Sequence, residues 1–281
     1  MKIRPRQFVC VKAQNEGELD LRRPNLGGVS RNPDRSNRLA HEDSALIKVF
    51  NKGNLLVVAD GMAGSRHGAL ASSIVIDTFL DYFKPKIFYK RLFALLCRQA
   101  HQNICNTRIS GGLISGGTTI EAAFISGNEA FFSHLGDSRT YLIRGEQVSL
   151  LFPDQIGSSE IFLKCEANNG FPLKLTSDRD LPLYYEKMNE PSKMNGLYAF
   201  AGTYMFNNYS PPEQQRLILQ ENDIILMCSD GLNFLQWDDF YKLTQTIHDY
   251  GALGAARLFF YSVFEPGDNI TVLIYIHQNT P

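Results

Sequence analysis

The sequence predicts an α+β domain in which antiparallel strands form layers and helices pack on them. Short apolar segments of strand length dominate the chain, and Gly, Asn and Asp turns separate them. Four longer stretches carry apolar residues at helical spacing. Of the 281 residues 44% are hydrophobic and 20% are charged, which excludes a disordered chain and supplies a large core.

Nine segments are expected to form strands, near residues 7–13, 43–50, 54–60, 117–126, 129–135, 138–144, 215–220, 223–229 and 269–276. The segments 117–126, 129–135 and 138–144 follow one another closely along the chain. We therefore expect these three strands to be antiparallel neighbours in one meander.

Four helices are expected beside these strands. The first presents an apolar face made of Ala71, Ile74, Val75, Thr78 and Phe79. The second covers residues 87–107 and turns its apolar residues inward, namely Phe88, Leu92, Leu95, Leu96 and Ile104. Two more are expected near 237–248 and 251–263.

No shift of composition marks a domain boundary, so we expect residues 1–281 to form a single domain. Residues 155–212 differ from the rest in having little periodicity and turn-forming runs such as Asn168-Asn169-Gly170 and Pro211-Pro212. An irregular stretch of this length inside a compact domain is normally either a functional lid or a sign that secondary structure in it was missed. We expect it to form a flap beside the functional site.

The charge balance and the cysteines limit the class of protein. There are 28 basic and 29 acidic residues, a formal net charge of −1, which argues against general affinity for nucleic acid or anionic membranes. The apolar runs are too short to span a membrane or to act as a secretory signal. Five cysteines without a C-x-x-C pair fit neither a disulfide framework nor a zinc site. We expect a soluble, cytoplasmic monomer.

Acidic residues recur at the ends of the predicted strands. Asp60 closes the run Leu55–Ala59 and Asp230 closes the run Ile224–Ser229, and a glycine follows each. Asp268 opens the last strand, and Glu42-Asp43 opens the strand near 43–50. One Asp-Gly pair alone indicates a turn, but a set of hard oxygen donors on rigid strand ends indicates Mg²⁺ or Mn²⁺.

Electrostatics supports cations at such a cluster. If all five side chains converge, the site carries a charge of −5. Two like charges about 4 Å apart repel by roughly 4 kcal/mol even at an effective dielectric constant of 20. Two divalent ions would reduce the charge to −1, and one arginine would neutralise it.

The motifs around these acids resemble those of the metal-dependent protein phosphatases (the PPM family, type 2C). The resemblance runs from about residue 38 to 276 and is weak only in 155–212. Its motifs, in the family's order, are Arg38-Leu39-Ala40-His41-Glu42-Asp43, Val58-Ala59-Asp60-Gly61-Met62-Ala63-Gly64, Gly117-Thr118-Thr119, Gly136-Asp137-Ser138-Arg139, Cys228-Ser229-Asp230-Gly231-Leu232 and Gly267-Asp268-Asn269-Ile270-Thr271.

The resemblance implies a β-sandwich of two antiparallel sheets flanked by helices, with two Mn²⁺ or Mg²⁺ ions at one edge. Asp60 would bridge both ions, and Asp230 and Asp268 would complete the first. Glu42 and the carbonyl of Gly61 would hold the second. Such ions activate a water molecule that attacks phosphorus directly.

Further residues take roles from the same resemblance. Asp43 would orient the attacking water, and Arg38 would grip the substrate phosphate with its guanidinium fork. A weak third ion is expected between Asp154 and Asp230. Asp137 has no implied metal contact and is expected, together with Ser138 and Arg139, to stabilise a hairpin.

Three functions follow from these features. The leading hypothesis is a serine/threonine phosphatase that acts on phosphorylated proteins. A second is a pseudophosphatase that binds partners without catalysis, although such a protein has little reason to keep five converging carboxylates. The third is a hydrolase of small phosphorylated molecules, because the surface around a site, rather than its ligands, decides the substrate.

Overall fold

The computed structural model of the protein describes residues 8–12, 15–32, 40–62, 66–85, 89–110, 112–155, 173–175, 199–202, 211–263 and 267–278. Within these residues two antiparallel sheets stack face to face, and helices cover the outer side of each. The predicted α+β class and the sandwich implied by the resemblance are both confirmed. In the described part of the chain, no helix has the length and apolarity needed to cross a membrane.

The first sheet has six strands and carries two helices. Its strands in spatial order are β1 (Phe8–Val11), β4 (Ser44–Phe50), β5 (Gly53–Ala59), β9 (Ile120–Ser126), β10 (Glu129–Leu135) and β15 (Glu213–Ile218). Helices α1 (Gly68–Tyr82) and α2 (Tyr89–Asn106) lie against its outer face. An aromatic cluster seals this contact, with Phe83 centroids 5.8 Å from Phe93 and 5.0 Å from Phe124.

The second sheet has seven strands. In spatial order they are β13 (Leu173–Leu175), β12 (Gln147–Leu150), β11 (Arg139–Arg144), β16 (Ile224–Cys228), β17 (Ile270–Ile276), β3 (Leu26–Arg31) and β2 (Gly17–Arg23). Helices α3 (Trp237–Gln245) and α4 (Ile247–Ser262) cover it. Two small pairs complete the fold, β8 (Gly117–Thr118) with β14 (Ala201–Gly202) and β6 (Arg108–Ile109) with β7 (Gly112–Leu113).

The central strands are buried on both faces, which explains their continuous apolar sequence. In β16, Leu226 and Cys228 face the helices while Ile225 and Met227 face the other sheet. This follows from the alternation of side chains along a strand. Because both faces are fixed by packing, the residue that leaves such a strand has a well-defined position.

The predicted meander is wrong at its third strand. Strands β9 and β10 pair, but β11 belongs to the second sheet, so residues 136–138 cross from one sheet to the other. Gly136 makes this crossing possible because its φ is +120° and a Cβ there would lie 2.6 Å from the methyl group of Thr119. Sequence spacing alone does not distinguish a hairpin from such a crossing.

Other differences are local. Leu95, expected to face inward from α2, is 55% exposed. Strands β2, β3 and β12 were not expected, and β2 and β3 lie in a sequence rich in charged residues and glycine. Of the expected flap at 155–212, only Gln155 and residues 173–175, 199–202 and 211–212 are among those described.

A buried ionisable pair joins the two sheets. Glu121 of β9 and His134 of β10 lie opposite each other, with Oε2 and Nδ1 2.7 Å apart and both side chains 1% exposed. The Thr140 hydroxyl of β11 donates to the other carboxylate oxygen of Glu121, and His134 Nε2 donates to the Pro153 carbonyl at 3.0 Å. Burial raises the pKa of Glu121 despite the neighbouring His134. For His134, burial acts to lower the pKa, but the neighbouring Glu121 outweighs it and the pKa is raised.

Breaking this pair should destabilise the fold strongly. We expect His134→Leu to lower the free energy of unfolding by about 3–5 kcal/mol, because the Glu121 carboxylate is left buried without its partner. The double variant Glu121→Leu with His134→Leu should recover much of the loss. Urea denaturation measures both, and Glu129→Gln serves as control because the Glu129–Arg216 pair is exposed and worth less than about 1 kcal/mol. A loss below 1 kcal/mol in His134→Leu would contradict the assignment.

Candidate metal centre

Most of the acidic residues singled out in the sequence meet at one edge of the sandwich. Asp60 follows β5, Asp230 follows β16 and opens the 3₁₀ helix Asp230–Phe234, and Asp268 precedes β17. Asp43 precedes β4, which pairs with β5. The charges of Asp43, Asp230 and Asp268 all act on Asp60, so these side chains are near neighbours. Arg38 lies outside the described residues.

The clustering shifts the acidity of the two central carboxyl groups. Burial, followed by the charges of the neighbouring aspartates, raises the pKa of Asp60 well above its usual value. The pKa of Asp230 is also raised well above its usual value, first by burial and then by the charges of Asp137 and Asp268, although its neighbour Asp60 acts to lower it. Ionised carboxylates are therefore unfavourable here unless positive charge compensates them.

Three observations fit this edge to a divalent cation. As the side chains stand, however, no group of three or more His, Cys, Asp or Glu residues in the described part of the chain could hold a metal ion. The Asp230 Oδ1 atom is buried and has no hydrogen-bond partner. All the converging side-chain donors are carboxylate oxygens, which Mg²⁺ and Mn²⁺ prefer. At Gly61 a Cβ would lie 2.5 Å from the Gly68 carbonyl, so only glycine allows this close packing of main chains.

Two threonines hold the main chain of Asp60 in place. The Asp60 N–H donates to Thr119 Oγ1 at 3.0 Å, and Thr118 Oγ1 donates to the Asp60 carbonyl at 2.8 Å. The Thr119 N–H donates to the same carbonyl at 2.9 Å. Both threonines are 0–1% exposed. This pair therefore fixes the position of Asp60, the residue that leaves β5.

Hydroxyl groups from two further motifs fix Asp43. Ser229 Oγ and Thr271 Oγ1 both donate to its Oδ2 atom, at 2.7 and 2.8 Å. The Thr271 N–H in turn donates to Ser229 Oγ at 2.9 Å, and the Ser30 hydroxyl contacts Thr271 Oγ1 at 2.8 Å. Asp43 is 1% exposed, so this network holds its carboxylate in one orientation behind the aspartates at the edge.

Asn269 has a role that the sequence did not reveal. Its Oδ1 atom accepts the Glu42 N–H at 2.8 Å, which joins the motif before β17 to the motif before β4. The Glu42 carbonyl accepts the Ser72 hydroxyl at 2.5 Å. A Cβ on Gly68 would lie 2.8 Å from Glu42 Oε1, so the carboxylate sits at the first residue of α1, where the helix dipole favours negative charge.

Asp137 belongs to the acidic cluster rather than to a hairpin. It is 4% exposed, lies in the crossing between β10 and β11, and its charge acts on both Asp60 and Asp230. The sequence does not show whether residues 136–138 form a hairpin or cross between the sheets. Because they cross, Asp137 lies at the edge where the acidic residues of both sheets meet.

Asp154 was expected at a sheet edge as a ligand of a third ion, but it is buried in an ion pair. Arg139 Nε donates to its Oδ1 at 2.9 Å, and Arg139 Nη2 donates to its Oδ2 at 2.6 Å. The same guanidinium donates to Asn233 Oδ1 at 2.8 Å, in the 3₁₀ helix that begins with Asp230. Arg139 therefore links the side chains of Asp154 and Asn233, whereas it was expected to stabilise a hairpin. A cation at Asp154 would have to compete with it.

The comparisons with known proteins agree with this geometry. A family model described as protein phosphatase 2C matches residues 34–257. A serine/threonine phosphatase (stp) of Listeria welshimeri is 24% identical over 253 residues, covering 84% of this chain and 91% of that protein.

Two solved structures share the fold. The serine/threonine phosphatase of S. agalactiae superimposes with a TM-score of 0.69 at 24% identity, covering 90% of this chain and 100% of that one. The catalytic domain of the serine/threonine protein phosphatase PstP in complex with two manganese ions superimposes with a TM-score of 0.66 at 23% identity, covering 90% and 98%. At these identities the likeness establishes the fold.

Removing one of the crowded charges should stabilise the metal-free protein. The pKa values of Asp60 and Asp230 are raised in the folded protein, so ionising these groups above the unfolded-state pKa near 4 disfavours folding. The stability of the metal-free protein in EDTA should therefore fall as the pH rises. We expect Asp230→Asn to raise the free energy of unfolding in EDTA at pH 7 by about 0.5–2 kcal/mol. Added Mn²⁺ should stabilise the wild type more than the variant in thermal unfolding. Asp154→Asn is the matched control and should destabilise, because it leaves Arg139 buried without its ion-pair partner. If the metal-free Asp230→Asn variant were less stable than the wild type, the claim that repulsion among these carboxylates destabilises the fold would be refuted.

Proposed function

The chain belongs to the protein phosphatase 2C family, and we propose on that premise that it hydrolyses phosphoserine and phosphothreonine in proteins. The observation that carries the proposal is the meeting of Asp43, Asp60, Asp137, Asp230 and Asp268 at one edge of the sandwich. Keeping so many carboxylates together lowers the stability of the fold. A catalytic role for bound cations would explain why the protein keeps them.

Asp60 is proposed to hold both of two Mn²⁺ or Mg²⁺ ions, with Asp230 and Asp268 completing one site and Glu42 and the Gly61 carbonyl the other. The unpartnered Oδ1 atom of Asp230 and the two manganese ions of the PstP complex support this assignment. When bound, such ions lower the pKa of water and neutralise charge on the phosphoryl oxygens. A weaker third ion at Asp230 stays a prediction. Because Asp154 is bound by Arg139 and the charge of Asp137 acts on Asp230, we propose Asp137 in place of Asp154 as the second carboxylate for this ion.

The protein's own groups would orient and bind the substrate. The Asp43 carboxylate, held by Ser229 and Thr271, is fixed well enough to accept a hydrogen bond from the attacking water. Arg38 is proposed to bind two phosphoryl oxygens with its guanidinium, because this geometry matches a phosphate group. Asn269 would act through Glu42, whose main chain it holds.

A metal-dependent assay separates this function from its alternatives. We expect turnover of phosphoserine and phosphothreonine peptides with Mn²⁺, loss of turnover in EDTA, and slower turnover of phosphotyrosine peptides. Asp60→Asn and Asp230→Asn should each lower kcat at least about 100-fold while remaining folded. The control Asp249→Asn removes an exposed carboxylate of α4 and should change nothing.

Each other result selects another function. A folded wild type without activity at any metal concentration would favour a pseudophosphatase. Activity on p-nitrophenyl phosphate and small phosphate esters but not on peptides would favour a small-molecule hydrolase. Normal rates in either folded aspartate variant would refute the two-metal assignment.

Arg38 can be tested without disturbing the cations. Arg38→Ala should raise KM by about 10- to 100-fold, the range for losing hydrogen bonds to a charged group. Arg38→Lys should recover only part of this, because an ammonium group lacks the guanidinium fork. Calorimetric Mn²⁺ affinity should stay unchanged in both, with Arg98→Ala as an exposed control on α2. Unchanged kinetics in Arg38→Ala would show that Arg38 does not contact the phosphate.

A further inference from the structure

A cavity of about 650 Å³ lies away from the acidic cluster, on the helix-covered side of the second sheet. It opens between the edge strand β13 and helix α3. The residues that give it chemical character are Glu146, Lys174, Leu175, Trp237, Asp238 and Tyr241. The volume is in the range of pockets that bind small ligands.

Aromatic rings form one wall of the cavity. The ring centroids of Trp237 and Tyr241 are 5.8 Å apart with an interplanar angle of 32°. Trp237 is 6% exposed and is packed into the core, so its ring is held rigidly, and Leu175 adds a buried apolar surface. The faces of aromatic rings carry partial negative charge and attract cations, most strongly when the ring is tryptophan.

The charges at the cavity favour the same kind of ligand. Glu146 and Asp238 are exposed carboxylates, and neither has an ion-pair partner within the described part of the chain. Among the described lining residues Lys174 is the single cation, so that the three charged side chains Glu146, Asp238 and Lys174 sum to −1. Two carboxylates beside aromatic faces complement a guanidinium, which stacks on rings and donates to carboxylates at the same time.

The cavity wall is connected rigidly to the acidic site. Trp237 packs on Phe240 with centroids 5.9 Å apart, and Phe240 packs on Tyr141 at 4.9 Å. The Tyr141 hydroxyl accepts a hydrogen bond from Arg139 at 3.4 Å, and Arg139 holds Asn233, three residues after Asp230. A ligand in the cavity and a phosphoryl group at the acidic edge would therefore be held by one continuous body.

We propose that this cavity binds an arginine side chain of the phosphoprotein substrate, at a position separate from the phosphorylated residue. The proposal rests on the proposed phosphatase function and adds a specificity-determining site to it. It predicts that the enzyme distinguishes phosphopeptides by a positive charge at one particular distance from the phosphate.

The chain contains a single tryptophan, Trp237, so binding is observable directly by fluorescence. The probes are phosphothreonine peptides with one arginine placed in turn at each position on either side, and matched peptides with neutral citrulline. Titration of non-hydrolysable phosphonate analogues of these peptides in the presence of Mg²⁺ measures affinity without turnover, while the phosphoryl group can still bind at the acidic edge. At one arginine position we expect a change in Trp237 emission and an affinity about three- to tenfold above that of the citrulline peptide.

The double variant Glu146→Gln with Asp238→Asn should abolish this preference while leaving turnover of p-nitrophenyl phosphate unchanged. Asp239→Asn is the matched control, because Asp238 and Asp239 both lie in the first turn of α3 but only Asp238 lines the cavity. Equal affinities for arginine and citrulline peptides at every position would overturn the proposal, as would a preference that survives the double variant. Failure of the phosphatase function would show instead as no turnover by the wild type with Mn²⁺, a readout that the titration does not use.

Discussion

Carboxylates crowd together at one edge of the sandwich, and the neighbouring segments must hold them there against their mutual repulsion. Five aspartates lie close enough to influence one another, and burial strengthens their interaction. Neutral bonds from neighbouring segments hold them there: threonines fix the Asp60 main chain, hydroxyls fix the Asp43 carboxylate, and Asn269 fixes Glu42. The charges that raise the pKa of Asp60 and of Asp230 come from neighbouring aspartates, so a bound cation would relieve their repulsion.

The sandwich supplies the rigidity that this arrangement needs. Strands β5 and β16 are buried between the opposite sheet and the helices, so Asp60 and Asp230 emerge from fixed positions. The Glu121–His134 pair lies between the sheets, and its contacts with Thr140 and Pro153 join three segments of chain. Apolar layers provide the stability, while this polar contact favours one register of the two sheets.

The start of the segment expected to be a flap is anchored rather than free. Asp154 is bound by Arg139, and Gln155 accepts the Gly136 N–H at 2.9 Å and donates to Glu213 at 2.9 Å. Glu213 begins β15, so this last contact ties together the two ends of the irregular segment. Arg139 also holds Asn233, which couples the start of the segment to the turn that carries Asp230.

Local sequence patterns were sufficient to predict the fold class, most strand and helix positions and most members of the acidic cluster, because buried strands and Asp-Gly strand ends leave such patterns. Tertiary structure alone decided that β11 joins the second sheet, and this crossing brings Asp137 to the cluster. It also decided that Asp154 meets Arg139 and that Asn269 holds Glu42, since these partners lie 15 and 227 residues apart. Local patterns report burial and turns, whereas partners distant in sequence are chosen by how the sheets pack.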